Sequence, residues 1–277
     1  MLQRSKYPTA GRELALFFGL TYLVSWLSWG AAAVSGQDVT ASPWLAAHTL
    51  GGLTPSLVGV ALFYRLHRSG AERRDFWRRV ASPKLISPGW YLLIALIFPA
   101  LAGVGVALDA LVSGEAPALT VLAQLAANPL TLIPMLLLGI STGPLAEELG
   151  WRGFALDRLQ ARTGLLAASL VLGVIWALWH LPLFLIRGTP QYDMGLGSAQ
   201  FWLFLAIGVP ASILMTRAYN CNGRSILSAI LLHWMLNLTM NLAYPLSERA
   251  LTYLIVLMLA AALGVAALSG RAKGATE

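Results

Sequence analysis

A chain of 277 residues that is 57% hydrophobic and only 11% charged, with a mean hydropathy of +0.69, has too little polar surface to cover a soluble core. It is expected to be an all-α, polytopic integral membrane protein. The formal charge of +7 would suit a nucleic-acid binder, but its distribution along the chain points to membrane orientation instead, so no nucleic-acid partner is expected. The lone cysteine, Cys221, excludes an internal disulfide and a cysteine-cluster metal site.

A bilayer core about 30 Å thick needs about 20 apolar residues in a helix. Eight runs satisfy this in chain order: 12–34, 44–64, 88–112, 129–160, 165–186, 199–217, 225–243 and 249–268. Ahead of the first run lies positive charge, and Ala31-Ala32-Ala33 resembles a signal-peptide cleavage site. The run is nevertheless longer than the ~7–15 residues of a signal core, so the first helix is expected to stay. Between the second and third runs, AERRDFWRRV (71–80) reads as a basic interfacial helix with Phe76, Trp77 and Val80 facing lipid. Its plainer role is a topology anchor. The fourth run is longer than a span requires and contains Pro144, which predicts a kink or a protruding end. No repeat or soluble insertion interrupts the pattern, so residues 1–277 are expected to form a single transmembrane domain.

Lysine and arginine set the orientation. Arg4, Lys6, Arg12, Arg65, Arg68, Arg73, Arg74, Arg78, Arg79, Lys84, Arg158, Arg162, Arg217, Arg224, Arg271 and Lys273 fall on one side of the eight runs, and only Arg187 and Arg249 on the other. Under the positive-inside rule both termini are expected in the cytoplasm of a multi-pass cell-membrane protein whose first partners are lipids.

Ionisable side chains inside the predicted spans include Asp109, Glu147, Glu148, Arg152, His180 and His233. Each costs at least ~2.5–3.5 kcal/mol at mid-membrane and so needs a partner or a purpose. Asp109 is near the outer end of its span and is expected to snorkel. In STGPLAEELGWRGFAL (141–156), Glu148 and Arg152 are four residues apart and share a helix face, which predicts an ion pair. Glu147 points about 100° away and is left for another neighbour. The turn Thr163-Gly164 joins this span to the next. Glu147 and His180 are equally far from it in sequence, which would set them opposite each other in a regular hairpin of helices. In LLHWMLNL, His233 and Asn237 again share one face. Either residue alone would be ordinary interhelical glue. Together, a carboxylate with an imidazole can activate water, and an imidazole with an amide can stabilise an oxyanion, as amide hydrolysis requires. For Trp151, Trp179 and Trp234, packing and interfacial anchoring suffice.

These motifs resemble those of the CPBP intramembrane proteases, which group type II CAAX prenyl endopeptidases with bacteriocin-immunity and abortive-infection-like membrane proteins. The family pattern is Glu-Glu-x-x-x-Arg, Phe-x-x-x-His and His-x-x-x-Asn on three helices. It is met here by Glu147-Glu148 with Arg152, by Trp176 with His180, and by His233 with Asn237, so that Trp176 stands where the family usually has Phe. The resemblance covers residues 130–243, which it marks as the catalytic core. It implies an endopeptidase acting on a membrane-associated protein or peptide, or a CAAX-type substrate. Glu147 and His180 would activate water, and His233 and Asn237 would hold the oxyanion. Glu148 and Arg152 would support the site, and Trp176 would wall it. No metal cofactor is favoured. The alternative is zinc held by Glu147, His180 and His233, although no HExxH spacing exists. Two other readings compete. A proton-coupled transporter would also bury Glu and His, but the first three spans hold no matching polar set. A non-catalytic immunity or scaffold protein would keep the same residues for structure.

The charge asymmetry predicts the outcome of cysteine scanning. In a Cys221→Ser background, Gln37→Cys should react with an impermeant thiol reagent in intact cells. Gly274→Cys should react only after lysis, and its labelling in intact cells would refute the orientation.

Overall fold

The computed structural model describes residues 7–67 and 69–274, with side chains as far as Val265. Arg4, Lys6 and Arg68, and the side chains of Arg271 and Lys273, all counted in the charge asymmetry, lie outside the described residues. Helices α1 (Ala10–Ser35), α2 (Trp44–Leu66), α3 (Gly70–Ala81), α4 (Pro88–Ser113) and α5 (Thr120–Ala127) form the first half. The fourth span follows as three helices, α6 (Leu132–Thr142), α7 (Pro144–Gly150) and α8 (Leu156–Thr163). Then come α9 (Leu165–Trp179), α10 (Ala199–Cys221), α11 (Ile226–Leu242) and α12 (Glu248–Gly274). Among the described residues seven stretches are long and apolar enough to cross a membrane, one of them Pro129–Thr163 taken whole. The apolar α11, with 17 residues, is slightly shorter. All eight predicted spans thus correspond to helical segments, in an all-α polytopic membrane protein. Leucines such as Leu23, Leu27, Leu92, Leu111 and Leu137 are exposed on its surface, which suits a solvent of lipid tails.

Lipid tails are as apolar as leucine, so close packing and interhelical hydrogen bonds must hold such helices together. Glycines provide the close approaches. A Cβ on Gly59 would stand 2.6 Å from the Cα of Gly150, and one on Gly173 would stand 2.9 Å from the Cα of Val209. These crossings press α2 against α7 and α9 against α10. Helix α1 ties both pairs together. Ser25 and Trp29 donate to the carbonyls of Gly51 and His48 on α2. Tyr22 and Trp26 donate to those of Ile175 and Trp179 on α9.

One expectation is corrected. Helix α3 does not lie loosely on lipid. Trp77 is exposed, but Phe76 is fully buried and stacks on Phe63 with ring centroids 4.4 Å apart. Beside it, Arg79 donates to the Tyr219 hydroxyl at 2.8 Å, and that hydroxyl donates to Asp157 at 2.9 Å. Asp157 also pairs closely with Arg224. The basic helix is therefore docked by a buried polar cluster that its sequence pattern does not display. Asp109, near the outer end of its span, has partners as well: it accepts from Ser247 at 2.5 Å and from Arg249 at 2.8 Å. From the sequence alone Arg249 reads only as an outer-loop charge.

Candidate active site

The fourth span owes its shape to Pro144. Proline has no N–H and disfavours helical backbone in the residue before it. Gly143 accordingly takes φ −116° and ψ −82°, and α7 starts afresh with Pro144 in its first turn. Downstream, Trp151–Ala155 forms a π turn, in which the Leu156 N–H donates to the Trp151 carbonyl five residues back. Such turns re-aim side chains and recur at functional sites. This one carries Trp151 and Arg152. Gly153 within it leaves room for Phe76 and Ile226, each within 3.3 Å of where a Cβ would be.

Glu148 is completely buried and doubly held. Arg152 donates to both its oxygens, at 2.8 and 2.9 Å, so the predicted ion pair forms. His233 Nδ1 lies 2.9 Å from Glu148 Oε1. Facing an ionised carboxylate, that nitrogen is the donor, which fixes the ring's orientation. The guanidinium also reaches Ser212 Oγ on α10 at 3.4 Å and lies 5.3 Å from the Trp176 ring centroid.

Glu147 makes different contacts. Its Oε2 accepts the indole N–H of Trp176 at 2.6 Å and that of Trp151 at 3.3 Å. Its Oε1 has no hydrogen-bond partner among the described residues. A Cβ on Gly143 would sit 3.0 Å from Asn237 Nδ2 and 3.9 Å from Glu147 Oε1. The carboxylate oxygen and the amide thus border one space, which the missing side chain of Gly143 leaves open.

The direct partner of Glu147 across the hairpin is Trp176 rather than His180, one helical turn on. Equal counting from Thr163-Gly164 assumed two regular helices packed along their whole length. Instead the π turn interrupts one arm, and α7 packs between α2 and α11 while α9 packs on α10. Helix α9 itself ends at Trp179, and a 3₁₀ turn over Leu181–Leu185, with Pro182 in it, follows His180. His180 Nδ1 is 2.8 Å from the Trp176 carbonyl and must donate to it. The neutral ring therefore presents Nε2 as an acceptor. Trp179 and Phe204 pack edge-on against that ring at centroid distances of 4.8 and 5.4 Å.

Trp176 is the meeting point of the site. Besides its bonds to Glu147 and His180 and its contact with Arg152, its ring meets that of His233 edge-on at 5.0 Å. Trp151 was expected only to pack or anchor. It does pack, fully buried against Phe17 and Trp179, but it also bonds to Glu147. Its position four residues after Glu147 could have signalled this, since i and i+4 side chains meet on a helix. Trp179 is buried too, so neither tryptophan is an interfacial anchor. Among the described residues no three His, Cys, Asp or Glu side chains converge as a metal ion would require. Glu147, His180 and His233 each keep one donor atom free of protein partners, but the three do not meet.

Comparison with known proteins bears on this arrangement. Residues 129–239, which include every side chain just described apart from Phe17 and Phe76, match a family model described as type II CAAX prenyl endopeptidase Rce1-like. The chain is also 28% identical over 249 residues to the CAAX prenyl protease 2 of Methanococcus maripaludis, covering 89% of this chain and 91% of that one. The resemblance carried by the three motifs is thus a similarity along most of the sequence.

The contrast between the carboxylates predicts opposite costs on neutralisation. Glu148→Gln leaves Arg152 buried without its anion, and breaking such a pair costs ~3–5 kcal/mol. Glu147→Gln removes no ion pair. Thermal unfolding in detergent should show a clearly lower midpoint for Glu148→Gln and a near-normal one for Glu147→Gln. Equal midpoints would contradict the assignment.

Proposed function

We propose that this protein is an intramembrane endopeptidase that hydrolyses a peptide bond of a membrane-associated, CAAX-type substrate with Glu147 as general base. The observation that carries the reading is the half-held carboxylate: Glu147 Oε2 is fixed by two indoles while Oε1 is left beside the Asn237 amide. The names of the matching family and of the Methanococcus maripaludis relative support the reaction class and the substrate class. A CAAX terminus is a cysteine, two aliphatic residues and a final residue, with a prenyl chain on the cysteine.

In the proposed reaction Glu147 Oε1 removes a proton from water as the water oxygen attacks the scissile carbonyl carbon. His180 Nε2, an acceptor in the neutral ring, takes a hydrogen bond from the same water and orients it. The oxyanion that forms is held by Asn237 Nδ2, and by His233 Nε2 when that ring is the imidazolium. Collapse of the tetrahedral intermediate breaks the carbon–nitrogen bond, and the leaving amine takes the proton back from Glu147. Glu148 and Arg152 act through position: Glu148 holds the His233 ring, and Arg152 neutralises Glu148. The catalytic core is residues 130–243 of a single transmembrane domain, with both termini in the cytoplasm, as the charge asymmetry supports. The reaction needs no metal. This rests on the direct fit of these groups to acid–base roles.

Loss of a general base typically lowers a rate by ~10²–10⁴. Cleavage of a quenched-fluorescence peptide bearing a prenylated CAAX terminus, by protein in liposomes, should fall by about this much in Glu147→Gln. Full turnover by that variant would remove Glu147 from the chemistry. The wild-type protein should contain far less than one zinc per chain and keep its activity after exposure to a membrane-permeant chelator. Stoichiometric zinc, with activity lost on chelation and restored by zinc, would make Glu147, His180 and His233 ligands instead.

A further inference from the structure

A base buried in a membrane protein needs a fixed direction as well as a proton affinity. A free carboxylate can rotate, exchange its two oxygens and point its lone pairs into several sites. Here the two oxygens are not equivalent. Both protein donors, Trp176 Nε1 at 2.6 Å and Trp151 Nε1 at 3.3 Å, converge on Oε2. They come from α9 and from the π turn, so two different pieces of backbone fix one atom. Oε1 is left toward Gly143 and Asn237.

Resting on the general-base reading above, we propose that the Trp176 indole N–H is a positioning group for Glu147. With Trp151 it anchors Oε2, making Oε1 the oxygen that meets water and substrate. The inference concerns this chain in particular, because the usual phenylalanine of the resembled motif has no N–H to donate. Trp176 is well placed for the task. Its own ring is held by the edge contact with His233 and by the Arg152 guanidinium, and its carbonyl fixes His180. One residue thus sets the direction of the base and, through its backbone, the tautomer of the imidazole beside the water. Trp151 gives the longer bond and is the secondary anchor.

Two replacements at position 176 test this. Trp176→Phe removes the donor but also shortens the side chain. Trp176→3-benzothienylalanine keeps the indole shape and replaces the N–H by sulfur, so it reports on the donor even if the phenylalanine variant fails to insert. Hydrogen bonds to charged groups contribute ~1.5–3 kcal/mol, which corresponds to a rate loss of about 10- to 100-fold. Steady-state cleavage of the prenylated peptide should show that loss in kcat for both variants. KM and the thermal midpoint of the benzothienyl protein should stay near wild type, since a misdirected base weakens the transition state and not substrate binding. Unchanged kcat in the benzothienyl protein would overturn the inference and leave Trp176 as a packing residue only. Glu147→Gln, measured alongside, separates the two levels. If it is inactive while the benzothienyl protein is fully active, the base stands and its positioning by Trp176 falls. If Glu147→Gln itself cleaves at the wild-type rate, the base assignment fails and the inference with it.

Discussion

Two adjacent carboxylates, each more than nine-tenths buried in a bundle whose outside is leucine, set the constraint that the rest of the site answers. An unpaired charge in such surroundings is costly enough that the chain must provide each carboxylate with donors. It does so in two ways. Glu148 receives a cation and an imidazole. Glu147 receives two neutral N–H groups on one oxygen. Because adjacent helical residues diverge by about 100°, the two sets of partners come from different directions. That requires α7 to lie in the middle of the bundle, against α2 and α11. The glycine crossing of α2 on α7, with Gly59 and Gly150 face to face, makes this depth attainable.

Irregular backbone is concentrated around the same side chains. Gly143 breaks the fourth span ahead of Glu147, the π turn follows Glu148, and α9 gives way to a 3₁₀ turn after His180. Inside a membrane, non-helical backbone is tolerated only where protein or a polar cavity satisfies it. Gly143 is half-buried, Trp151–Ala155 is wholly enclosed, and the 3₁₀ turn is buried or half-buried up to the exposed Leu185. The irregularities have a geometric use. A straight fourth helix would carry Trp151, Arg152 and both glutamates on fixed 100° steps. The i,i+4 spacing brings Trp151 and Arg152 to their respective carboxylates, and the π turn that begins at Trp151 shifts the register of the chain beyond, which carries Asp157 into its cluster with Arg79 and Tyr219.

The spans and the Glu148–Arg152 pair were legible in the sequence because both follow from strong local rules, apolar run length and i,i+4 spacing. The convergence of α7, α9 and α11 residues on one centre was less so, and what pointed to it was the order of three motifs, not any distance. Three things were hidden. The partner of Glu147 depended on how two arms of a hairpin splay, which equal counting cannot see. Phe76 read as part of a lipid face and Arg79 as a cytoplasmic charge because the burying partners, Phe63 and Tyr219, are distant in sequence. Arg249 read as a loop charge because nothing local links it to Asp109. In each case the missing information is a long-range contact, and the polar members gave no sign of which of several partners they would choose.

The choice of partners for Glu147 fits a catalytic carboxylate better than a structural one. A guanidinium in place of the indoles would bond both oxygens, as Arg152 does to Glu148, and would oppose any change in the charge of the group. Glu148 shows what that produces: an ion pair fully enclosed, with both oxygens engaged and no atom left to react. Indoles donate one hydrogen each, carry no formal charge and are rigid, so they fix direction while leaving the carboxylate able to gain and lose a proton. A structural role alone would be served better by the arrangement around Glu148. The sequence nevertheless places two carboxylates side by side and gives the cation to only one of them, leaving the other with an unengaged oxygen facing an amide across the gap that Gly143 keeps open.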